Sequence, residues 1–335
     1  MQTMKVLAPI GSELWLHEVS QPALRPIVIV SSDESARARL NAAETHVGIL
    51  DQEGKRAHLY EVRADSLERV LTPLHLPKDA HADDIAVVED VLFAGGSGPD
   101  GEAAWMRSPG SPSWTPVPMP SDTLAPGKGI DALLVDGPRL IGVDNIVMPK
   151  WAVVWDISNP AAPTYTDRLM LVSNTTYEQI RAAAIGGRFV ATLSSGSGRG
   201  GPSVHVALLD RTSLEEAFCY SWFGDWTHAT MIEIGTEVDP NLESLATCVG
   251  IAMAGDVVYL ACQESGLLAI DLRGVDVRRH PVGEFGLGSD APAGPDPVRL
   301  RLALTRVDGV VAVGGGVVAS GEGLDGTIQS FWAQR

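Results

Sequence analysis

Cysteine and basic residues are scarce in this sequence, and each shortage argues against a class of protein. The 335 residues include three cysteines, Cys219, Cys248 and Cys262. An odd number of cysteines without a spacing pattern does not predict a disulfide framework. We therefore expect three buried free thiols and a protein of the reducing cytoplasm.

Basic residues are outnumbered by acidic ones: the sequence has 25 Lys and Arg and 42 Asp and Glu, which gives a formal net charge of −17. Binding to nucleic acids or anionic membranes depends on basic surfaces, so we expect neither as a partner. No run of about 20 apolar residues occurs, which argues against a transmembrane helix. The N-terminal residues show no signal-peptide pattern.

Several catalytic motifs are missing as well. The sequence has no Gly-x-Ser-x-Gly motif, no phosphate-binding loop and no dinucleotide-binding fingerprint. Its eight histidines include no His-x-His or His-x-x-x-His pair of the kind that binds zinc. Nucleotide, flavin, nucleophilic-serine and zinc chemistry are therefore disfavoured, and we expect no organic cofactor.

Glycine and proline, by contrast, are plentiful, with 35 and 22 residues. Short apolar runs separated by these residues favour an all-β fold. A hairpin pattern recurs, in which two apolar strands flank a turn of Glu-Asp, Asp-Gly, Gly-Gly or Gly-Asp, residues that tolerate positive φ. It occurs at residues 85–95, 132–142, 182–191, 250–260 and 302–313, with a weaker copy at 46–50.

A third strand follows each hairpin, at residues 58–62, 104–107, 152–157, 205–210, 267–272 and 328–332. Repeats of about 40 to 50 residues with four short strands are typical of β-propeller blades. We predict one domain, a six-bladed β-propeller with seven blades as the alternative. Its blades are expected at residues 32–78, 79–120, 127–172, 177–222, 243–285 and 297–333. An N-terminal strand from residues 5–31 is expected to complete the last blade and close the ring, because an open array leaves an unpaired edge.

One segment resembles a known family. Residues 155–163, with the sequence Trp-Asp-Ile-Ser-Asn-Pro-Ala-Ala-Pro, resemble the strand and turn of bacterial propellers with LVIVD-type repeats. The full motif occurs once, and the other copies keep only the aspartate after the third strand, at Asp210 and Asp271. The resemblance implies the propeller fold and little about activity.

The residues at which innermost strands begin are the first candidates for function. In a propeller these positions converge on the mouth of a central channel. They include Asp84, Asp131 and Glu178, which we predict as catalytic acids or bases. His81, Arg181 and Arg301 are predicted to bind the substrate. Polar residues also line water-filled propeller channels without any catalytic role, and this alternative remains open.

The loops between second and third strands are expected on the same face. They add Lys150 and Glu264 as predicted substrate-binding residues. Calcium prefers oxygen ligands, and a weaker alternative is a Ca²⁺ site formed by Asp131, Asp144, Asn145 and Glu264. No other metal is expected.

An insertion at residues 220–241 is the third candidate feature. The second strands around Val190 and Tyr259 are 69 residues apart, against 48 to 53 for the other neighbouring pairs centred between Phe93 and Ala312. Long loops in compact repeats are usually functional or disordered. Trp222 and Trp226 are predicted to bind the substrate and His228 to act as a catalytic base. The alternative places Trp222 in an outer strand that packs on the next blade.

Two functions follow from these patterns. The first is a small-molecule enzyme that uses acid–base chemistry in the central funnel, as a lyase, hydrolase, cyclase or isomerase. The second is a propeller that binds a protein or a ligand without catalysis. The aromatic insertion favours the enzyme, because a scaffold needs no cover over its channel.

Overall fold

The computed structural model describes most of the chain as β-structure. The described residues are 4–10, 13–20, 23–30, 37–51, 53–63, 66–70, 74–120, 129–144, 150–171, 179–198, 201–214, 216–223, 248–263, 266–273, 298–300, 302–313 and 315–333. They form two compact units, Met1–Leu169 and Met170–Arg335. Within the described ranges, no helix is long and apolar enough to cross a bilayer.

The first unit contains four antiparallel sheets, the last of which ends just beyond it. The strands of these sheets are β1 (Met4–Ile10), β2 (Glu13–Ser20) and β3 (Ala23–Val30); β4 (Arg37–Leu40), β5 (His46–Leu50), β6 (Arg56–Val62), β7 (Leu67–Arg69) and β8 (Leu74–His75); β9 (His81–Val88), β10 (Val91–Ser97), β11 (Ala104–Arg107) and β12 (Thr115–Pro116); and β13 (Ile130–Asp136), β14 (Arg139–Asp144), β15 (Lys150–Asp156) and β16 (Thr164–Leu171).

The second unit contains three antiparallel sheets. Their strands are β17 (Gln179–Gly186), β18 (Phe189–Gly198), β19 (Gly201–Asp210) and β20 (Glu216–Phe223); β21 (Gly250–Ala254), β22 (Val257–Ala261), β23 (Leu267–Asp271) and β24 (Val298–Leu300); and β25 (Leu304–Val313), β26 (Gly316–Gly323) and β27 (Ile328–Ala333).

The predicted all-β class is confirmed, and six antiparallel sheets follow the order of the six predicted repeats. Strands pair in chain order within a sheet, apart from the short β8, which pairs with β6. The N-terminal strands β1, β2 and β3 pair with one another in a seventh sheet of three strands. Closure of a ring by an N-terminal strand stays a prediction.

The first hairpin turn of four sheets has a common backbone conformation. Directly after β9, β13, β17 and β21, the first turn residue has a positive φ between 49° and 59°. Three of these residues are glycines, which adopt this conformation without a Cβ penalty, and the fourth is Glu89. Such turns match the right-handed twist of the paired strands, so they fix each repeat locally.

The last two repeats differ from their predicted boundaries. The expected turn at Asp308-Gly309 is wrong, because β25 continues through it to Val313 with Asp308 as an extra, bulged residue. The fifth blade, predicted to end at 285, is completed by β24, which pairs with β23 through Arg299 opposite Leu268. Arg299 therefore belongs to a fourth strand and not to the start of the last blade.

The aspartates of the resembling motif occupy one structural position. Asp156, Asp210 and Asp271 end the third strands of three sheets, opposite the first residue of each second strand. In each case the Oδ1 atom accepts a hydrogen bond from the backbone N–H two residues later. These bonds stabilise the turn that follows. Hydrogen bonds from Ser158 lower the pKa of Asp156.

The apolar core lies between neighbouring sheets. A sheet of four short strands cannot bury both faces by itself, so its apolar residues pack against the next sheet. In the first unit, one cluster joins the β9 and β13 sheets around Phe93, Ile130 and Trp155. In the second unit, equivalent clusters join the β17 sheet to the β21 sheet and the β21 sheet to the β25 sheet.

Polar contacts reinforce this packing at the hairpin turns. In the first unit, Asn41 Nδ2 donates to Glu89 O at 2.8 Å, which joins the first turns of two sheets. In the second unit, Arg188 Nε donates to Asp256 Oδ2 at 2.9 Å and joins the equivalent turns there. These two pairs of sheets are therefore held at their turns as well as through their apolar faces.

The expectation of three free thiols is wrong for two of the cysteines. Cys248 and Cys262 form a disulfide, and their sequence separation is 14 residues. Cys248 precedes β21 and Cys262 follows β22, so the antiparallel pairing of this hairpin brings the two side chains together. The sequence spacing alone does not reveal this pairing. The side chain of Cys219 lies outside the described part of the chain.

Gly96 provides a test of the close approach between backbones in the first unit. A Cβ at Gly96 would lie 1.8 Å from His81 O, and a Cβ at Gly129 of the next sheet would lie 2.3 Å from Gly96 O. We expect Gly96→Ala to lower the free energy of unfolding by about 2–3 kcal/mol. Gly250→Ala is the control, because its Cβ would meet no atom closer than 3.5 Å. Urea unfolding measures both, and equal losses would contradict the packing argument.

Candidate functional site

A bulge near the start of the first strand recurs in four sheets. We call this end of a sheet, where its first strand starts, the leading end. The pairing register skips one residue at this position, and the skipped residues are Asp83, Asp131, Arg181 and Asp308. In β25 the register also skips Thr305, closer to the start of the strand. A bulge breaks the alternation of side chains and re-aims the extra one. The two predicted site residues Asp131 and Arg181 are therefore at equivalent positions, one in each unit.

Asp84, beside the first of these bulges, joins three sheets. The residue is 2% exposed. Oδ2 accepts hydrogen bonds from Arg39 Nη2 of β4 and from Leu133 N of β13, both at 3.0 Å. Oδ1 accepts a third from its neighbour Ile85 N at 2.9 Å. The geometry thus gives Asp84 a role in holding β4, β9 and β13 together, and its predicted acid–base role stays a prediction.

Two further buried carboxylates lie at the leading end of the β13 sheet. Asp131 is 7% exposed and Asp144 is completely buried. Asp144 pairs with Ile130 across β13 and β14, and Asp131 is the bulged residue directly after Ile130. The fold therefore brings Asp131 and Asp144 onto adjacent strands, two residues from the Leu133 amide that binds Asp84. Three buried carboxylates therefore lie at the leading ends of two neighbouring sheets: Asp84 on β9, Asp131 on β13 and Asp144 on β14.

His81 is held between two acceptors at the start of β9. Its Nδ1 lies 3.0 Å from Glu53 O, and its Nε2 lies 3.1 Å from Asp83 Oδ1. A carbonyl oxygen only accepts, and so does an ionised carboxylate. The predicted substrate-binding residue His81 thus has protein partners on both nitrogens.

Asp51 organises the turn that supplies the Glu53 carbonyl. Its Oδ1 accepts from Lys55 N at 2.7 Å and its Oδ2 accepts from Arg56 Nε at 3.0 Å. Burial acts to raise the pKa of Asp51, but these hydrogen bonds and the positive charge of Arg56 prevail and lower it. The turn is bound to the next sheet by Ala82 N, which donates to Gly54 O at 2.9 Å.

The remaining predicted site residues are distributed differently. Arg181 is exposed at its bulge in β17 of the second unit. Lys150 begins β15. Trp222 lies opposite Val204 in β20, an outer strand, which agrees with the alternative that placed this residue in an outer strand. The side chains of these last two are not described. Six residues lie outside the described ranges: Asn145, Glu178, Trp226, His228, Glu264 and Arg301.

Metal ligation by the described residues finds no support. Across the described ranges, no group of three or more His, Cys, Asp or Glu side chains is placed to hold a metal ion. Two members of the proposed Ca²⁺ set, Asn145 and Glu264, fall outside those ranges. The calcium alternative stays a prediction.

Sequence reasoning missed Asp83, which the structure places at the bulge. Counting back from the first hairpin turn would have found it, because Asp83, Asp131 and Arg181 each lie six residues before the positive-φ residue of that turn. The neighbouring Asp84 was predicted as one of the residues at which innermost strands begin. The register of the bulge separates the two aspartates and the sequence pattern does not.

Comparison with solved structures shows that the fold is similar to β-propellers. Hydrazine synthase from Kuenenia stuttgartiensis matches with a TM-score of 0.62 and 12% identity, over 98% of this chain and 94% of that chain. A protein from Bacteroides uniformis, provisionally assigned as a 6-phosphogluconolactonase, matches with a TM-score of 0.57 and 10% identity, over 98% and 95%. Hsv2 from Kluyveromyces lactis matches with 0.55 and 9%, over 98% and 94%.

No protein-family model matches the sequence, and no curated protein matches it either. Identities this low show the fold alone. The predicted β-propeller type of fold is therefore confirmed, and the function depends on the residues of the site.

The contact of Asp84 with three sheets predicts that replacing its carboxylate by an amide lowers stability strongly. Asp84→Asn removes the ionic partner of Arg39 and replaces one acceptor oxygen by an NH2 group, which then faces at least one N–H donor. We expect the free energy of unfolding to fall by about 2–4 kcal/mol. Asp83→Asn, at a half-exposed carboxylate, is the control and should cost at most about 1 kcal/mol. Urea unfolding measures both. A decrease for Asp84→Asn no larger than that for the control would show that the Asp84 contacts contribute little to stability.

The lowered pKa of Asp51 predicts a pH dependence of stability. Because this pKa lies below the value in the unfolded chain, about 4, the contribution is fully present above pH 4. It is lost as the pH falls through the folded-state pKa. We expect Asp51→Asn to destabilise the protein at pH 7 and to have a smaller effect near pH 2.5. Urea midpoints at the two pH values measure this, and an unchanged difference would rule out the carboxylate as its cause.

Proposed function

We propose that the chain is an acid–base enzyme that acts on a small polar molecule. Its chemistry is placed at the leading end of the β13 sheet, where β13 begins and β14 ends. The observation that carries this proposal is the pair of buried carboxylates, Asp131 at a bulge and Asp144 on the adjacent strand. Carboxylates taken out of water near one another resist being ionised together. Such a pair can hold one proton between them, which provides an acid and a base in one place.

The proposed chemistry is proton transfer at a bound substrate. The ionised member of the pair removes a proton from carbon, oxygen or a water molecule, and the protonated member returns one to the leaving atom, so the pair is restored at the end of the cycle. This pattern fits lyases, hydrolases, cyclases and isomerases. We assign the paired roles to Asp131 and Asp144, with Asp84 as a positioning residue that binds the Leu133 amide and thereby fixes β13.

Other predicted residues enter the proposal as substrate contacts. Arg181, which is exposed at its own bulge in β17, keeps its role as a residue predicted from the sequence to bind an anionic group. Glu178, Arg301 and the aromatic segment with Trp226 and His228 complete the predicted set. Their place at the site is part of the proposal and rests on the sequence.

The architecture around the site is proposed in the same way. We place the six repeats in a β-propeller closed by an N-terminal strand that completes the last blade, and the separate sheet of β1, β2 and β3 supports the seven-bladed alternative. The three equivalent aspartates Asp156, Asp210 and Asp271 support the resemblance to LVIVD-type propellers. A propeller that binds a ligand without catalysis is the second candidate, since Asp84 and Asp51 show that buried carboxylates here also serve structure.

Asp131→Asn tests the enzyme proposal. The wild-type protein is incubated in D₂O with a metabolite extract of the cells that produce it, and untargeted mass spectrometry follows product formation and deuterium uptake. We expect the wild type to change at least one metabolite and Asp131→Asn and Asp144→Asn to slow that change by about 100-fold or more. Thermal unfolding should show that the variants remain folded.

Asp167→Asn is the matched control, because Asp167 is exposed on β16 at the outer edge of the same sheet. It should leave the rate unchanged. An extract that the wild-type protein does not alter, or full activity in both site variants, would contradict the enzyme proposal. Retention of a metabolite on the immobilised protein without turnover would favour the binding function.

A further inference from the structure

The disulfide joins two cysteines inside the core of the second unit. Cys248 and Cys262 are both buried, and they lie in the apolar cluster that joins the β17 sheet to the β21 sheet. Their neighbours in this cluster include Leu193, Leu260 and Leu268. A sulfur pair in this position is shielded from solvent thiols while the protein is folded.

The local backbone explains why these two cysteines meet. Gly250 pairs with Ala261 across β21 and β22, and Val249 N donates to the same Ala261 carbonyl at 2.8 Å. The cysteines therefore flank the open end of a hairpin that forms from residues close in sequence. Once the hairpin forms, each thiol is held near the other, so the bond forms readily when an oxidant is present.

The disulfide also lies next to a contact between two sheets. Gln263 directly follows Cys262, and its backbone exchanges two hydrogen bonds of 2.9 Å with Val307 of β25. Fixing Cys262 to Cys248 therefore restrains the start of the segment that binds the last sheet. Loss of the cross-link is expected to loosen this contact as well as the hairpin.

We infer that the chain matures and works in an oxidising compartment, where this disulfide is a permanent part of its fold. Two thiols lose two electrons and two protons to form the bond, and the acceptor is the disulfide of a thiol oxidant or of oxidised glutathione, which leaves as two thiols. Disulfides persist in such compartments and are rare in a reducing cytosol. This inference replaces the cytoplasmic expectation and is independent of the proposed enzymatic function.

The first test counts free thiols in the protein from the cells that naturally produce it. The cells are quenched with acid, and the protein is unfolded in guanidinium with iodoacetamide and analysed by mass spectrometry. We expect one alkylated cysteine, Cys219, and a cross-linked peptide that contains Cys248 and Cys262. Three alkylated cysteines would overturn the inference.

The second test measures what the bond contributes to the fold. Protein oxidised with glutathione disulfide is compared with protein reduced during unfolding and refolded with reductant. We expect reduction to lower Tm by roughly 5 °C. The Cys248→Ser/Cys262→Ser double variant should have the lower Tm with and without reductant, and Cys219→Ser should respond to reductant as the wild type does.

The two tests fail independently of the enzyme proposal. Equal Tm values for the oxidised and reduced protein would show that the bond is not part of the stable fold and would overturn the inference. If reductant lowered the Tm of the double variant as much as that of the wild type, the effect would come from another group. This result would also overturn the inference. Neither result changes the expected behaviour of Asp131→Asn.

Discussion

Each sheet of this protein has too little apolar surface to be stable alone, and the packing of neighbouring sheets within a unit decides most of the remaining structure. Strands of five to ten residues bury their side chains only when the next sheet covers them. The clusters around Phe93 and Trp155, and around Leu260 and Leu268, are layers of this kind. Glycine is required where two backbones approach closely, as at Gly96 and Gly129. Hydrogen bonds and an ion pair between the hairpin turns of neighbouring sheets then fix the distance between those turns.

The same constraint shapes the candidate site. A carboxylate near the core must find donors, and Asp84 finds them on two neighbouring sheets as well as on its own strand. This satisfies the buried charge and also aligns β9 with β13, so Asp131 stands at a fixed place beside Asp144. In the proposed function, structural and chemical roles are divided between these neighbouring carboxylates.

Much of the architecture was predictable because its signals are local. Turn residues that accept positive φ identify the first hairpin of four repeats, and apolar runs identify the second and third strands. The last repeat misled the prediction because Asp308-Gly309 has turn chemistry, yet the strand continues and the aspartate bulges out. The sequence pattern does not distinguish the two cases, since both use the same residues and differ only in long-range pairing.

The site and the disulfide were less accessible for related reasons. Asp83 and Asp84 are adjacent acids, and only the register shows which of them is the bulged residue. Cys248 and Cys262 have an unremarkable spacing, and only the pairing of β21 with β22 brings them together. Contacts that depend on three-dimensional register cannot be inferred from residue types, whereas hairpins that close within ten residues can.

The bulge at the leading end has a consequence for how such a protein changes over time. Elsewhere in a first strand, the alternation of inward and outward side chains restricts every position to a residue that suits one side. The bulged residue is exempt from that alternation, and in four sheets it is occupied by Asp, Asp, Arg and Asp. A substitution there alters charge and hydrogen bonding without disturbing the apolar layers. Each of these four sheets therefore carries a position at which the residue type can change with little effect on the apolar layers.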